Sequence, residues 1–254
     1  MLATQRRHKI LELLTEDGSA KVSDLSRIFK ISEVTIRQDL ARLEEEGLIT
    51  REHGGAYLNS LSNQVQSFSC QHMENMDKKA RIGKKAAELI YDGDSIILDS
   101  GSTTTEIARN ILDRKNLTVI TNTVNIPLII GGRPGITVLV TSGEFKAPTL
   151  SLTGQKAAEF LENLNVDKLF LATAGITLRA GLTYPSLSDL PVKRAMIEAA
   201  ETVYLVADST KLGKQALASL GALSLVHYLI TDDGISEAQK QEFSRHGIEL
   251  IIAK

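Results

Sequence analysis

The stretch from Ser32 to Ala56, SEVTIRQDLARLEEEGLITREHGGA, restricts the fold more than any other. Ser32 is a strong helix N-cap, because its hydroxyl accepts from a free amide of the first turn. Glu33 follows where the helix dipole favours negative charge. Ile36, Leu40 and Leu43 recur at i, i+4 and i+7, so they share one face and turn inward. Thr35, Arg37, Gln38 and Arg42 fall off that face. Their hydroxyl, guanidinium and amide groups are of the kind that bond base edges and phosphates in a major groove. Gly47 ends the helix, Leu48 to Arg51 reads as a short strand, and Gly54-Gly55 permits a tight reversal. An ordinary amphipathic helix followed by a hairpin has the same periodicity, so the neighbouring elements decide between the two readings.

Thr4 to Thr15 carries an apolar stripe of Ile10, Leu13 and Leu14 and reads as a first helix, broken at Asp17-Gly18-Ser19. Ser23 is placed to cap a second helix running through Lys30, with Leu25, Ile28 and Phe29 inward. Helix, short helix, tight turn, capped helix and hairpin is the order of a winged helix-turn-helix. Charge argues the other way: residues 1–57 hold nine Lys and Arg against ten Asp and Glu, without the usual basic footprint of a DNA binder. The conflict is resolved if Arg6, Arg7, Lys9, Arg37 and Arg51 line one side and Glu44, Glu45 and Glu46 lie at the far end of the helix.

Leu58 to Met76 is polar, rich in Ser, Asn and Gln and without period, which reads as a linker or as a connector packed on its neighbours. The expected domains are therefore 1–57, a linker over 58–76, and 77–254. In the last of these, short β-branched strands alternate with helices. Strands are expected at Ser95 to Leu98, Leu117 to Ile120, Ile136 to Val140, Leu169 to Ala172, Val203 to Val206, Tyr228 to Ile230 and Ile248 to Ile252. Helices are expected at Asp77 to Ile90, Thr104 to Leu112, Val124 to Ile130, Gln155 to Leu164, Asp189 to Ala200 and Ser236 to His246. That alternation argues for a mostly parallel α/β sheet covered on both faces.

Small polar groups recur where these strands end: Asp99-Ser100-Gly101-Ser102-Thr103-Thr104, Thr121-Asn122, Gly143-Glu144 and Asp208 with Lys211. The carboxyl ends of parallel strands share one edge, and ligands bind in the crevice there. Gly101 allows close backbone approach, and the helix after it offers free amides to an anion. The loop lacks the lysine-serine/threonine ending of a P-loop. Lys193 and Arg194 are placed to complement an anion, though solvated surface lysines and arginines are the commoner case. One cysteine, Cys70, excludes an internal disulfide and a cysteine-rich zinc site, so no cofactor or metal is expected and a reducing cytoplasm is the default. No apolar run reaches the length of a membrane span.

The N-terminal residues Arg6, Ile10-Leu11, Val22-Ser23-Asp24-Leu25, Ser32, Thr35-Ile36-Arg37, Asp39-Leu40, Leu43, Gly47-Leu48, Arg51 and His53-Gly54-Gly55-Ala56 form a dense ordered pattern. It resembles the DNA-binding domain of DeoR-type bacterial transcriptional regulators, in the branch of the glycerol-3-phosphate and amino-sugar repressors. Gln38 departs from it, standing where that family usually has a second arginine. The strand-end residues, together with Gly154, Asp167 and Lys193-Arg194, resemble the sensor domain of the same family, which is related in fold to ribose-5-phosphate isomerase and CoA transferases. Asp189 stands where glutamate is common.

The resemblance implies a repressor of a carbohydrate operon. Its DNA contacts would come from Ser32, Glu33, Thr35, Arg37, Gln38, Arg42, Arg51 and His53. A phosphorylated sugar would be held by Asp99 to Thr104, Thr121, Asn122, Gly143, Glu144, Asp189, Lys193, Arg194, Asp208 and Lys211. The partners implied are double-stranded operator DNA and further copies of the chain, as homodimer or homotetramer, with no membrane and no enzymatic activity. The fold relationship keeps open a sugar-phosphate isomerase with an added head, in which Asp99, Asp208 or Glu144 is the base and Lys211 the electrophile. An RNA-binding regulator using the same winged helix is a third reading.

Overall fold

The computed structural model describes residues 3–17, 19–52, 54–58 and 74–254, in two compact units, Met1–Cys70 and Gln71–Lys254. His53, Cys70 and most of the expected linker lie outside the described residues; of that stretch, Leu58 belongs to a strand and Met76 opens a helix.

The first unit runs α1 (Ala3–Asp17), β1 (Ser19–Lys21), α2 (Val22–Phe29), α3 (Glu33–Glu45), β2 (Ile49–Glu52) and β3 (Gly55–Leu58). Ile10, Leu14, Leu25, Ile36, Leu40, Leu43 and Ile49 form its core. Ser32 caps α3 as expected, its hydroxyl accepting from the Thr35 amide at 3.2 Å. Gly47, with φ at +73°, takes the left-handed turn that ends it, and Leu48 N–H donates to Leu43 O at 3.0 Å.

Three expectations for this unit are corrected. Ser23 does not cap α2, whose N-cap is Lys21, because the chain arrives extended from β1 and Val22 N–H is taken by Gly54 O at 2.8 Å. Ile28 points outward, 57% exposed, since Val22 and Leu25 already fill the inner face of this short helix. Arg6 does not join an exposed basic side. It clasps α1 to α3 through Asp39, Nε to Oδ2 at 2.5 Å and Nη2 to Oδ1 at 3.2 Å, which is why an aspartate is buried inside α3. The wing also gains a strand, for the break expected near Ser19 is β1, completing an antiparallel sheet of order β1-β3-β2.

The second unit is built on α4 (Met76–Ala87), β4 (Ser95–Leu98), α5 (Ser102–Arg109), β5 (Leu117–Thr121), α6 (Asn125–Ile130) and β6 (Ile136–Val140). It continues through the hairpin β7 (Glu144–Lys146) and β8 (Ser151–Thr153), then α7 (Gln155–Glu159) and β9 (Val166–Leu171). After β10 (Gly175–Thr177) and β11 (Gly181–Tyr184) come α8 (Leu190–Glu198), β12 (Ala200–Val206), β13 (Ala218–Gly221), β14 (Tyr228–Asp232), α9 (Glu237–Arg245) and β15 (Glu249–Ala253). Seven strands form one all-parallel sheet of order β15-β14-β12-β9-β4-β5-β6. Its two faces feed two cores by strict alternation. Ile97, Leu169, Leu171, Val203 and Leu205 face one; Ile96, Leu98, Phe170, Tyr204 and Val206 face the other. Phe170, Tyr204 and Tyr228 stack across three adjacent strands, ring centres 5.2 and 4.9 Å apart.

The chain enters this sheet at β4, moves outward through β5 and β6, and returns to β9 on the other side of β4. The strand order therefore reverses between β4 and β9, where a crevice opens beyond the carboxyl ends. The sequence reading did not anticipate the antiparallel strands β10, β11 and β13 or the β7-β8 hairpin. It also carried α7 on to Leu164, whereas the helix ends at Glu159.

Candidate functional site

Two surfaces merit a chemical reading, one in each unit. On α3, Ser32, Val34, Arg37, Gln38 and Arg42 are exposed opposite the buried Ile36, Asp39, Leu40 and Leu43. Each expected arginine has a carboxylate partner within the unit. Arg37 pairs with Glu33 at 2.6 Å, and Arg42 with Glu45 and Glu46, both at 3.1 Å. Arg51, on β2, pairs with Glu44 at 2.6 Å. The Arg51 backbone amide and guanidinium hold the Glu44 carboxyl below the usual carboxylate range. Arg37, Glu44, Arg51, Gly54 and Gly55 line one open groove with Val22 and Leu40, so helix and wing share a surface. Thr35 is half-buried, and its hydroxyl is bonded to that of Ser32 at 2.9 Å.

In the second unit a cavity of about 270 Å³ fills the crevice between the ends of β4 and β9. Ser100, Gly101, Ser102, Thr103, Asp189, Lys193, Asp208 and Lys211, all expected at a site, are brought together in its wall. Three further expected residues lie directly beneath. Asp99, with no exposed surface, pairs with Lys193 and accepts from Ser100 N–H at 2.6 Å and Ala172 N–H at 3.0 Å. Burial pushes the Asp99 carboxyl up, against the pull of the Lys193 ammonium. Asn122 accepts from Ser100 N–H at 2.9 Å, and Thr104 donates to Asp99 O at 2.6 Å. Thr121 is buried at the end of β5, beside β4, its hydroxyl donating to Leu98 O at 2.6 Å. Gly143, Glu144 and Arg194 lie outside the cavity wall, Glu144 and Arg194 with exposed side chains.

The charges in the wall are not all available to a ligand. Lys193 is engaged by Asp99, donates to Ser100 Oγ at 3.2 Å and lies 5.4 Å over the Tyr184 ring. Tyr184 donates to Ala172 O at 2.8 Å; burial first, then Asp99 and Asp189, push its phenol well above the ordinary value. Asp189 accepts from Lys146 at 2.7 and 2.8 Å. What remains open is a mixed set. Lys211 makes no ion pair among the described residues. Asp208 is 1% exposed; its Oδ1 is bonded to Thr210 while its Oδ2 has no hydrogen-bond partner. Gly101 is the N-cap of α5 and brings no side chain to the first-turn amides at Ser102 and Thr103. These groups suit a molecule with an anionic end and a hydroxyl or amine donor. Among the described residues no cluster of three metal-ligating side chains occurs.

Sequence reasoning missed Glu74, Lys79, Thr149 and Ala172 to Ala174 in the wall, and Lys146 behind it. Lys79 had a signal. It falls on the buried stripe Lys79, Ile82, Gly83, Ala86 of α4, and a lysine on an apolar stripe faces something polar. Burial lowers its ammonium pKa, opposed mainly by Asp208. Glu74 and Thr149 carried no such pattern.

Residues 6–62 match the family described as DeoR-like helix-turn-helix domain, and residues 74–233 match the DeoR C-terminal sensor domain. HTH-type transcriptional regulator GolR of Listeria innocua is 32% identical, with 100% of each chain covered. HTH-type transcriptional repressor GlcR of Bacillus subtilis is also 32% identical, over 100% of this chain and 98% of that one. Among solved structures, ribose 5-phosphate isomerase A of Methanocaldococcus jannaschii is 18% identical over 54% of this chain and 55% of that one, with a TM-score of 0.40.

Proposed function

The chain belongs to the DeoR family of helix-turn-helix transcriptional regulators, and on that premise we propose that it represses a carbohydrate-utilisation operon and that a phosphorylated sugar in the β4–β9 crevice changes its affinity for operator DNA. It is a regulator rather than an isomerase, for the relatives matched from end to end are named as regulators. The observation that carries the effector reading is the set of unspent groups in one wall: Lys211 and the first-turn amides of α5 for a phosphate, and Asp208 Oδ2 for a sugar hydroxyl or amine. A ligand shifts DNA binding only by the difference in its affinity for the two DNA-affinity states. Two copies reading paired half-sites, as homodimer or homotetramer, accord with a helix-turn-helix head.

Thermal melting of the full chain against a panel of sugar phosphates, the matching free sugars and inorganic phosphate tests the reading. The expected result is stabilisation by one phosphosugar class, about 2.7 kcal/mol at a hundredfold excess over Kd, lost in Asp208→Asn and Lys211→Met. A panel without any shift, or a shift that both variants keep, overturns it.

A further inference from the structure

The exposed face of α3 carries one residue that the charge chemistry of a DNA contact does not explain. Val34 is 62% exposed, in the first turn of the helix, and belongs to no hydrophobic cluster of the described residues. A β-branched side chain in that position neither favours the helix nor adds to its core. Gln38 is exposed one turn further on, on the same side. Arg37 and Arg42, which flank the two, are each tied to glutamates. The neutral pair is thus left presenting its chemistry outward.

The N-terminal residues of a recognition helix are the ones that reach base edges. In a major groove the one apolar group on offer is the thymine C5-methyl, while a glutamine amide matches adenine N7 and N6. Side chains at i and i+4 stand about 5–6 Å apart, which spans roughly two base steps. We propose that Val34 is a specificity-determining residue that packs on a thymine methyl, with Gln38 on an adenine within two base steps, so that the core of each half-site is A·T-rich where α3 enters. This rests on the DNA-binding reading of α3 and extends it to the base class read.

The site is found and tested with the same protein. Duplexes are enriched from a random pool with the full chain, and each thymine of the enriched site is then replaced singly by deoxyuridine, which removes only the methyl. One replacement per half-site weakens binding about fourfold, the expected weight of one buried methyl-sized group. Val34→Ala, which alters both half-sites, binds the thymine duplex about as weakly as the wild-type chain binds a duplex with that thymine replaced in both half-sites, and is indifferent to the replacement. Because Val34 is exposed, the variant keeps the wild-type melting temperature. If no thymine-to-uracil replacement affects the wild-type chain, or if Val34→Ala stays as sensitive at the same base, the assignment is overturned. The same holds if Val34→Ala is weaker than the wild-type chain by the same factor on the thymine and the uracil duplex, which would place the valine against protein. A chain that enriches no duplex at all overturns the DNA reading as well.

Discussion

Asp99 and Lys193 meet in the interior, 94 residues apart in sequence, with side chains almost wholly buried. Such a pair adds little net stability, yet breaking it strands a charge where water cannot reach. Its work here is positional. Asp99 draws together the loop after β4, the end of β9 and the helix α8, and so sets the rear wall of the crevice. Lys193→Met is expected to cost about 3–5 kcal/mol in urea unfolding, because Asp99 stays behind alone. Asp99→Asn/Lys193→Met recovers most of that, with a coupling beyond about 1 kcal/mol between the two sites. Additive losses would remove the ion pair from the account. Gly101 is governed by the same neighbourhood. A Cβ there would stand 2.8 Å from the Ala172 Cβ, so the glycine is required by the closeness of the β4 and β9 ends as well as by room for an anion.

At the scale of the element, α3 accounts for the acidic balance of the first unit. The glutamates are not kept apart from the arginines, as the sequence reading expected; Glu33, Glu44 and Glu45 each pair with one, and Glu46 with both Arg7 and Arg42. Exposed pairs of this kind contribute little to stability. They do set what a phosphate must displace. Glu33→Gln frees Arg37 and removes a charge that DNA repels. The expected outcome, read by anisotropy of labelled operator over a salt series, is severalfold tighter binding at low salt with a steeper salt slope. Weaker binding would show instead that Glu33 itself accepts from a cytosine amine. The helix loses no more than about 1 kcal/mol, since the Ser32 cap remains.

At the scale of the whole molecule, the two units are joined by the chain that enters α4. The segment that opens the second unit's described residues supplies two wall residues, Glu74 and Lys79. It is fastened to the strand ends by Lys78, which donates to Ser209 Oγ at 2.9 Å and pairs with Asp232 at 3.1 Å, and by Asn75, at 3.5 Å from Thr210. Burial works to raise the Asp232 carboxyl, but bonds from Ser209, Gly234 and Lys78 outweigh it and leave the group below its usual range. Occupancy beside Asp208 and Lys211 is thus next to the anchor of α4. Lys78→Met is expected to keep the melting shift caused by the effector while the effector's influence on operator affinity shrinks from its normal ~1–3 kcal/mol. An unchanged influence would take Lys78 out of the route.

Periodicity and punctuation were enough for the first unit's helices, the cap at Ser32, the turn at Gly47 and the seven strands of the large sheet as strands, because each depends on neighbours within a few residues. The hydroxyl-rich end of β4 was legible for the same reason. Tertiary structure alone decided the rest: that Arg6 grips Asp39, that Lys193 is consumed by Asp99 and Asp189 by Lys146 while Lys211 is left open, and that Glu74 and Lys79 join a wall made mainly of later strands. Those of the second unit follow from where the sheet reverses its strand order, which sets Ser95 beside Asp167, 72 positions apart, and Lys78 beside Ser209, 131 apart. Spacing along the chain carries no record of it, since a lysine bound to a buried carboxylate and a lysine facing a cavity are the same letter until the sheet has closed around them.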